Sequence, residues 1–142
     1  MSEVAILVFA DTNILFSAFY GSINAGKIVE AHLSNKIELV ISQKVLEDLV
    51  RNVRKKEPSA FNPLRQFLES TPPKIVKDPT SIVMKIKKLV DPKDQIIFQA
   101  AVNSKVKYFV TGNTKDYAVS NLQKIYKIAI LTPSEAVQKL GL

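Results

Sequence analysis

The sequence predicts an α/β protein built on a mostly parallel central sheet, and three observations carry that prediction. Short runs of consecutive apolar residues, 4–10 and 37–41 among them, suit strands buried on both faces. Segments with apolar residues at helical spacing lie between these runs. Strands alternating with helices put the helices on the sheet faces and a ligand crevice beyond the carboxyl ends of the strands.

The elements follow in order. The first strand, residues 4–10, ends at Asp11. Residues 13–20 and 27–33 read as helices, interrupted by Gly21 and the SINAG stretch. Residues 37–41 form the second strand, closed by Ser42. Residues 43–54 place Leu46, Leu49, Val50 and Val53 on one helical stripe. Pro58 and Pro63 punctuate a shorter helix carrying Leu64, Phe67 and Leu68, and another follows Asp78-Pro79 with Val83, Ile86 and Leu89. Asp91-Pro92-Lys93-Asp94 combines an N-cap aspartate, proline at the first helical position and an acid at the third. The helix it starts, residues 95–104, is almost wholly apolar and is expected to be buried. Residues 107–111 form a strand stopped by Gly112-Asn113, and residues 125–131 form the last strand. Thr132-Pro133-Ser134-Glu135 is a capping box opening a terminal helix, with Gly141 at its C-cap.

Composition bounds the function. A chain of 142 residues, 46% hydrophobic with four glycines and seven prolines, fits one globular domain spanning 1–142. The absence of cysteine excludes disulfides, thiolate metal sites and cysteine nucleophiles, and fits a reducing compartment. The opening MSEVAILVFADTN carries an acid before its short apolar run, unlike a secretory signal. No segment approaches the roughly 18 apolar residues of a membrane span. A soluble, cytoplasmic protein with no membrane partner is expected. Twenty Lys and Arg against thirteen Asp and Glu give a net charge of +7, much of it in clusters at 51–56, 85–93 and 105–115. Such charge favours polyanions by counterion release but does not by itself distinguish a nucleic-acid site from a solvated surface.

Four acids sit where chemistry is expected. Asp11 ends the first strand; taken singly, an aspartate there is more often a turn or capping residue, and Asn13 has the same ordinary role. Asp94 shares a helical face with Ile97, Phe98 and Ala101, which a helix-start acid does not require, because burying an unpaired charge is costly. Glu47 lies at the margin of the apolar stripe of its helix, with Arg51 as an ordinary i+4 partner. Asn113 and Asp116 follow Thr111 in a polar turn, TGNTKDY. Parallel strands would bring Asp11, Thr111, Asn113 and Asp94 to one crevice, with Glu47 approaching from its helix. Carboxylates gathered in one pocket need protons or cations to neutralise them. With no cysteine and one histidine, an all-oxygen site suits Mg²⁺ or Mn²⁺, which activates water and stabilises charge on a phosphodiester. A basic rim of Arg51, Arg54, Lys93 and Lys115 would hold the rest of the strand.

VFADTNILFSA, VISQKVLEDLV, VDPKDQIIFQAA and YFVTGNTKDY, in that order, resemble the successive motifs of PIN-domain nucleases, among them small toxins of the VapC kind. The resemblance runs from about Val4 to TPSEA. It implies a three-layer α/β/α fold and a magnesium-dependent endoribonuclease site. Carried over residue by residue, Asp11, Glu47 and Asp94 are its first three metal-binding and catalytic acids and Asp116 the fourth, with Asn13 and Thr111 as polar support. Many relatives carry an acid at the position of Asn113; others have asparagine there with an aspartate three residues on, and this sequence resembles the second kind. The family further implies a homodimer and, for its toxins, an antitoxin protein as partner. The alternative is a PIN-like module that binds RNA or protein without cutting, and Asn113 is the feature that favours it.

GSINAGK, residues 21–27, matches the first seven positions of a phosphate-binding loop, but Ile28 stands where the Mg²⁺-ligating hydroxyl belongs and the stretch lies between helices. No nucleotide cofactor is expected. His32 has apolar neighbours and no second histidine with which to form a dyad. An aspartate-nucleophile phosphatase would need an acid where Asn13 stands.

Overall fold

The computed structural model describes residues 5–142; Val4, assigned to the first strand from sequence, lies outside them. Among the described residues, five strands form one all-parallel sheet: β1 (Ile6–Ala10), β2 (Ile37–Ser42), β3 (Lys74–Val76), β4 (Tyr108–Val110) and β5 (Ala129–Leu131), in the order β3-β2-β1-β4-β5. Eight helices connect or follow them: α1 (Thr12–Tyr20), α2 (Ile23–Leu33), α3 (Gln43–Lys56), α4 (Phe61–Ser70), α5 (Met84–Leu89), α6 (Gln95–Asn103), α7 (Val119–Tyr126) and α8 (Pro133–Leu140). α1 packs on α2 and α3, α3 on α4, and α5 on α6, α7 lies against β5, and α8 returns to pack on α2. With this strand order the usual right-handed crossovers put α1–α4 on one face and α5–α7 on the other. The architecture is the three-layer α/β/α sandwich expected from the sequence.

Several boundaries differ for identifiable reasons. SINAG does not break the helix. Gly21, at φ 114°, closes α1, and the Ser22 side chain then accepts from the Ala25 N–H at 3.3 Å to cap α2. GSINAGK is thus a helix–helix junction with Lys27 on an exposed helical face. Asp78 starts no helix of its own. Its carboxylate accepts from the Lys44 N–H at 2.9 Å, capping α3 from a distance, and α5 begins only at Met84. Ile125 belongs to α7, a helix without a strong sequence signal, and β5 is confined to three residues. The exposed edge strand β3 also lacks an apolar run. At the C-terminus both halves of the Thr132/Glu135 capping box are formed, and Gly141 closes α8 at φ 66°.

His32 is a structural core residue. Its Nδ1 accepts from the Leu39 N–H and its Nε2 donates to the Thr71 carbonyl, both at 3.0 Å, which defines a neutral ring with both nitrogens satisfied.

The core beneath the crevice is aromatic. Phe9 and Phe109 are register partners on β1 and β4 and stack with centroids 5.6 Å apart. Phe98 of α6 meets Phe109 edge-on at 5.2 Å, and Tyr117 leans on both phenylalanines. Because side chains alternate along a strand, Asp11 and Thr111 project on the same face as Phe9 and Phe109, toward α6. Phe109 is fully buried; Phe109→Ala should therefore lower stability by about 3–5 kcal/mol, read as a shift of the urea midpoint at unchanged slope.

Candidate active site

The sheet order reverses between β1 and β4, where neighbouring crossovers diverge and leave a crevice at the carboxyl ends of the strands. Asp11 and Thr111 straddle that point. The Asp11 N–H extends the ladder to the Val110 carbonyl at 3.2 Å, and the Thr111 hydroxyl donates to Asp11 Oδ2 at 2.5 Å while accepting from the Asn113 N–H at 3.2 Å. Asp11 occupies the N-cap position of α1, yet its side chain makes no capping bond. The Ile14 and Asn13 N–H groups still lie close enough to favour its charged form, so the capping role is only partly filled. It is only 7% exposed, and Oδ1 has no hydrogen-bond partner.

Asp94 meets it from the other side. A 3₁₀ turn at Pro92–Asp94 leads into α6, and the capping acid of that turn is Asp91, which accepts from the Lys93 N–H at 3.2 Å. Asp94 makes no cap of its own, and its buried Oδ2 makes no hydrogen bond, although Lys93 Nζ lies 3.4 Å away. An antiparallel bridge between Val90 and Tyr117, with Asp91 N–H to the Asp116 carbonyl and Ala118 N–H to the Leu89 carbonyl at 2.9 Å each, draws Asp116 alongside. Lys93 Nζ then stands among three carboxylates, 2.8 Å from Asp116, 3.4 Å from Asp94 and 3.5 Å from Asp91. Asp116 opens onto an adjoining cleft that also contains Lys115.

The second acid of the crevice is Asp48. Asp11, Thr12, Asn13, Asp48, Arg51, Asn52, Lys93, Asp94 and Ile97 line one pocket of about 220 Å³, and Glu47 is not among them. Glu47 is exposed on the outer side of α3, in a separate groove. The reason is the helix rotation. The stripe read from Leu46, Leu49, Val50 and Val53 is centred about 50° away from the buried line Val45, Leu49 and Val53. Relative to the observed line, Asp48 stands at the flank, about 100° round, and Glu47 faces outward, about 160° round. Full burial of Val45 was the signal that distinguishes the two acids. Asp48 is held by ion pairs to Arg51 and, at 3.3 Å, Lys44. Arg54 sits in the groove with Glu47, and Asn113 is exposed beyond Thr111.

Electrostatics identify the strained members. Burial pushes the Asp11 carboxyl up to about 6, partly opposed by the Thr111 hydroxyl and by the nearby Ile14 and Asn13 N–H groups, and reinforced by the Asp94 charge. Asp94 is likewise raised by burial, with Lys93 opposing, whereas Asp116 is held low by its hydrogen bond to Lys93. Tyr117, missed in the sequence as a site residue, is 6% exposed, with a hydroxyl that has no partner. The Thr111 hydroxyl beside it is committed to Asp11 and Asn113, and burial and the charges of Asp94, Asp11 and Asp116 push the Tyr117 phenol well above its ordinary ionisation range.

Two buried carboxylate oxygens without partners, facing a common pocket in which an ammonium already stands among the acids, suit a hard cation with oxygen ligands. As the side chains stand, no group of three or more potential ligands among the described residues is drawn in around one point. Asp48 and Asp116 would have to exchange their Arg51 and Lys93 partners to join Asp11 and Asp94.

The raised carboxyl of Asp11 has a definite thermodynamic sign. Between pH 3.8 and about 6 the folded chain holds a proton that the unfolded chain releases, so this group's contribution to stability falls as pH rises through that window. The interval amounts to about 3 kcal/mol at roughly 1.4 kcal/mol per pH unit. In EDTA, Asp11→Asn should therefore melt higher than the parent at pH 7.5, with the gap closing by about pH 4; a hard cation held by Asp11 would reverse the order in excess Mg²⁺, because it would bind the parent more tightly than the variant. Melts at both pH values, with and without metal, check this.

A sequence model of the PIN domain family matches residues 7–115. No curated protein matches the sequence. Among solved structures, the VapBC2 complex from Rickettsia felis, bound to a DNA fragment from their promoter, contains a chain 19% identical, with a TM-score of 0.62 over 89% of this chain and 98% of that one. A toxin–antitoxin complex from Klebsiella pneumoniae contains one 21% identical, with a TM-score of 0.59 over 89% and 97%. Among the described residues, no helix is long and apolar enough to cross a membrane. The motif order, the parallel sheet with its acids at the switch point, and a family match over most of the chain lead to one assignment: this protein belongs to the PIN domain family.

Proposed function

We propose that the protein is a metal-dependent endoribonuclease, hydrolysing RNA phosphodiester bonds with Mg²⁺ or Mn²⁺ held by Asp11, Asp94, Asp48 and Asp116. The observation that carries this reading is the pair of buried carboxylate oxygens without a hydrogen bond, on Asp11 and Asp94, at the sheet's switch point. When bound, the ion supplies Lewis acidity toward water and the phosphoryl oxygens. The chain's own residues do the rest. Thr111 fixes the Asp11 carboxylate in place through its hydroxyl. Arg51, released from Asp48, is placed at the lip of the crevice to take a phosphate oxygen in its planar fork. Lys93, displaced from Asp116, remains as a mobile cation beside the developing negative charge, and Lys115 adds to the basic rim. Burial of Asp11 against the aromatic core excludes water from behind the site.

The two solved neighbours are toxin–antitoxin complexes, and we extend that role to this chain: an RNA-cutting toxin restrained by an antitoxin and working as a homodimer. A short antitoxin gene beside the coding sequence, and co-purification of its product, would support the assignment.

Cleavage of a mixed RNA substrate should require Mg²⁺ or Mn²⁺, stop in EDTA, and be lost in Asp94→Asn with the fold retained by circular dichroism. Asp48→Ala should raise the metal concentration needed for half-maximal cleavage by at least the roughly 10–100-fold that even supporting residues of a metal site contribute. Glu47→Ala should leave that midpoint in place. Cleavage that persists in EDTA or in Asp94→Asn would overturn the metal-dependent mechanism, whereas RNA binding without cleavage in either Mg²⁺ or Mn²⁺ would favour the non-catalytic binding module.

A further inference from the structure

A second groove, of about 620 Å³, runs along the outer face of α3, lined by Leu46, Glu47, Val50, Arg51, Arg54 and Lys55. Its floor, formed by the half-buried Leu46 and Val50, is apolar. Three cations and one acid make its rim. Arg51 lines both this groove and the carboxylate crevice, so the two share a wall. Arg54 is held with its guanidinium 4.8 Å from the centre of the Phe61 ring, which restrains its plane while leaving the residue exposed.

An apolar floor, a restrained guanidinium plane and a basic rim continuous with a phosphodiester-cutting crevice match one chemistry: a nucleobase on a flanking phosphate. We propose that the α3 groove is a base-binding subsite for single-stranded RNA, seating one unpaired base next to the phosphate that enters the crevice. Arg51 takes the phosphate at the shared wall. The base lies on Leu46 and Val50 and stacks against Arg54, and Lys55 meets the next phosphate. A base stacked within a duplex cannot enter such a groove, so the subsite selects single-stranded segments. The inference rests on the ribonuclease reading above, but concerns binding and is tested apart from cleavage.

The experiment is fluorescence anisotropy in EDTA, where nothing is cut, with a labelled unstructured 12-nucleotide RNA, an abasic strand of equal length, and the RNA in a blunt duplex. The parent protein should bind the RNA roughly ten- to a hundredfold more tightly than the abasic strand, the range for one stacked base. Arg54→Lys keeps the charge and removes the plane. It should abolish most of that preference while leaving affinity for the abasic strand nearly unchanged; Arg54→Ala should weaken both. Equal binding of RNA and abasic strand by the parent, or an equal loss on both strands in Arg54→Lys, would reduce the groove to a charged surface and overturn the proposal. So would tighter binding of the duplex than of the single strand. Sedimentation of the parent and Arg54→Lys gives an independent arm. If the substitution dissociates a dimer, the groove belongs to a second copy of the chain and the proposal fails. Parallel Mg²⁺ cleavage assays separate the two readings: base-dependent binding without cleavage would overturn the nuclease assignment alone.

Discussion

The hydrogen bond from Thr111 to Asp11 across the β1–β4 junction is the constraint around which the site is organised. It joins residues a hundred positions apart in the chain, and it exists only because β1 and β4 pair in parallel in the register that sets Ala10 beside Val110. A slip of one residue would turn Asp11 to the opposite face, away from α6. Beneath it, the Phe9, Phe109, Phe98 and Tyr117 rings hold that register through packing and bring the start of α6, hence Asp94, against the strand ends. The position of the acids thus depends on an apolar cluster that contains none of them.

The metal-free acids compensate their charges unequally. Asp116, Asp48 and Asp94 each have a counter-cation, Lys93 or Arg51, whereas Asp11, the most buried of the four, has none; Asp11 Oδ1 and Asp94 Oδ2 are left without a hydrogen bond. The acid without a counter-cation is therefore the most deeply placed one, Asp11, where the cost of an unpaired charge is largest. Lys93 and Arg51 themselves are exposed, and ion pairs to cations at that exposure are held weakly.

A basic composition acquires direction from this arrangement. Arg51 and Arg54 lie one helical turn apart on α3, and the short helix rise puts them on a continuous path from the crevice into the outer groove. Lys93 and Lys115 flank the crevice on the side of Asp116. The net charge of +7 alone implies attraction to polyanions; its distribution around two adjoining clefts is what relates that attraction to the acids.

Local patterns were enough to establish the α/β class, the parallel sheet, the positions of Asp11, Thr111 and Asp94 at element ends, and the terminal capping box, because buried runs, caps and turn residues are written within a few consecutive positions. The same patterns left out β3 and α7, whose short and partly exposed stretches carry little periodicity, and misread Asp78, whose capping partner lies 34 residues away. Among the site residues, the choice of Asp48 over Glu47 was decided by the rotation of α3 against the sheet, a tertiary quantity that two adjacent acids on one helix do not reveal. The orphaned Tyr117 hydroxyl and the ammonium of Lys93 among three carboxylates likewise arise from the bridge between the Val90 and Tyr117 segments, which no local signal encodes. Sequence determined which chemical groups stand at the ends of which elements; tertiary packing decided which of them face one another, because burial and register are properties of the assembled sheet and not of any single segment.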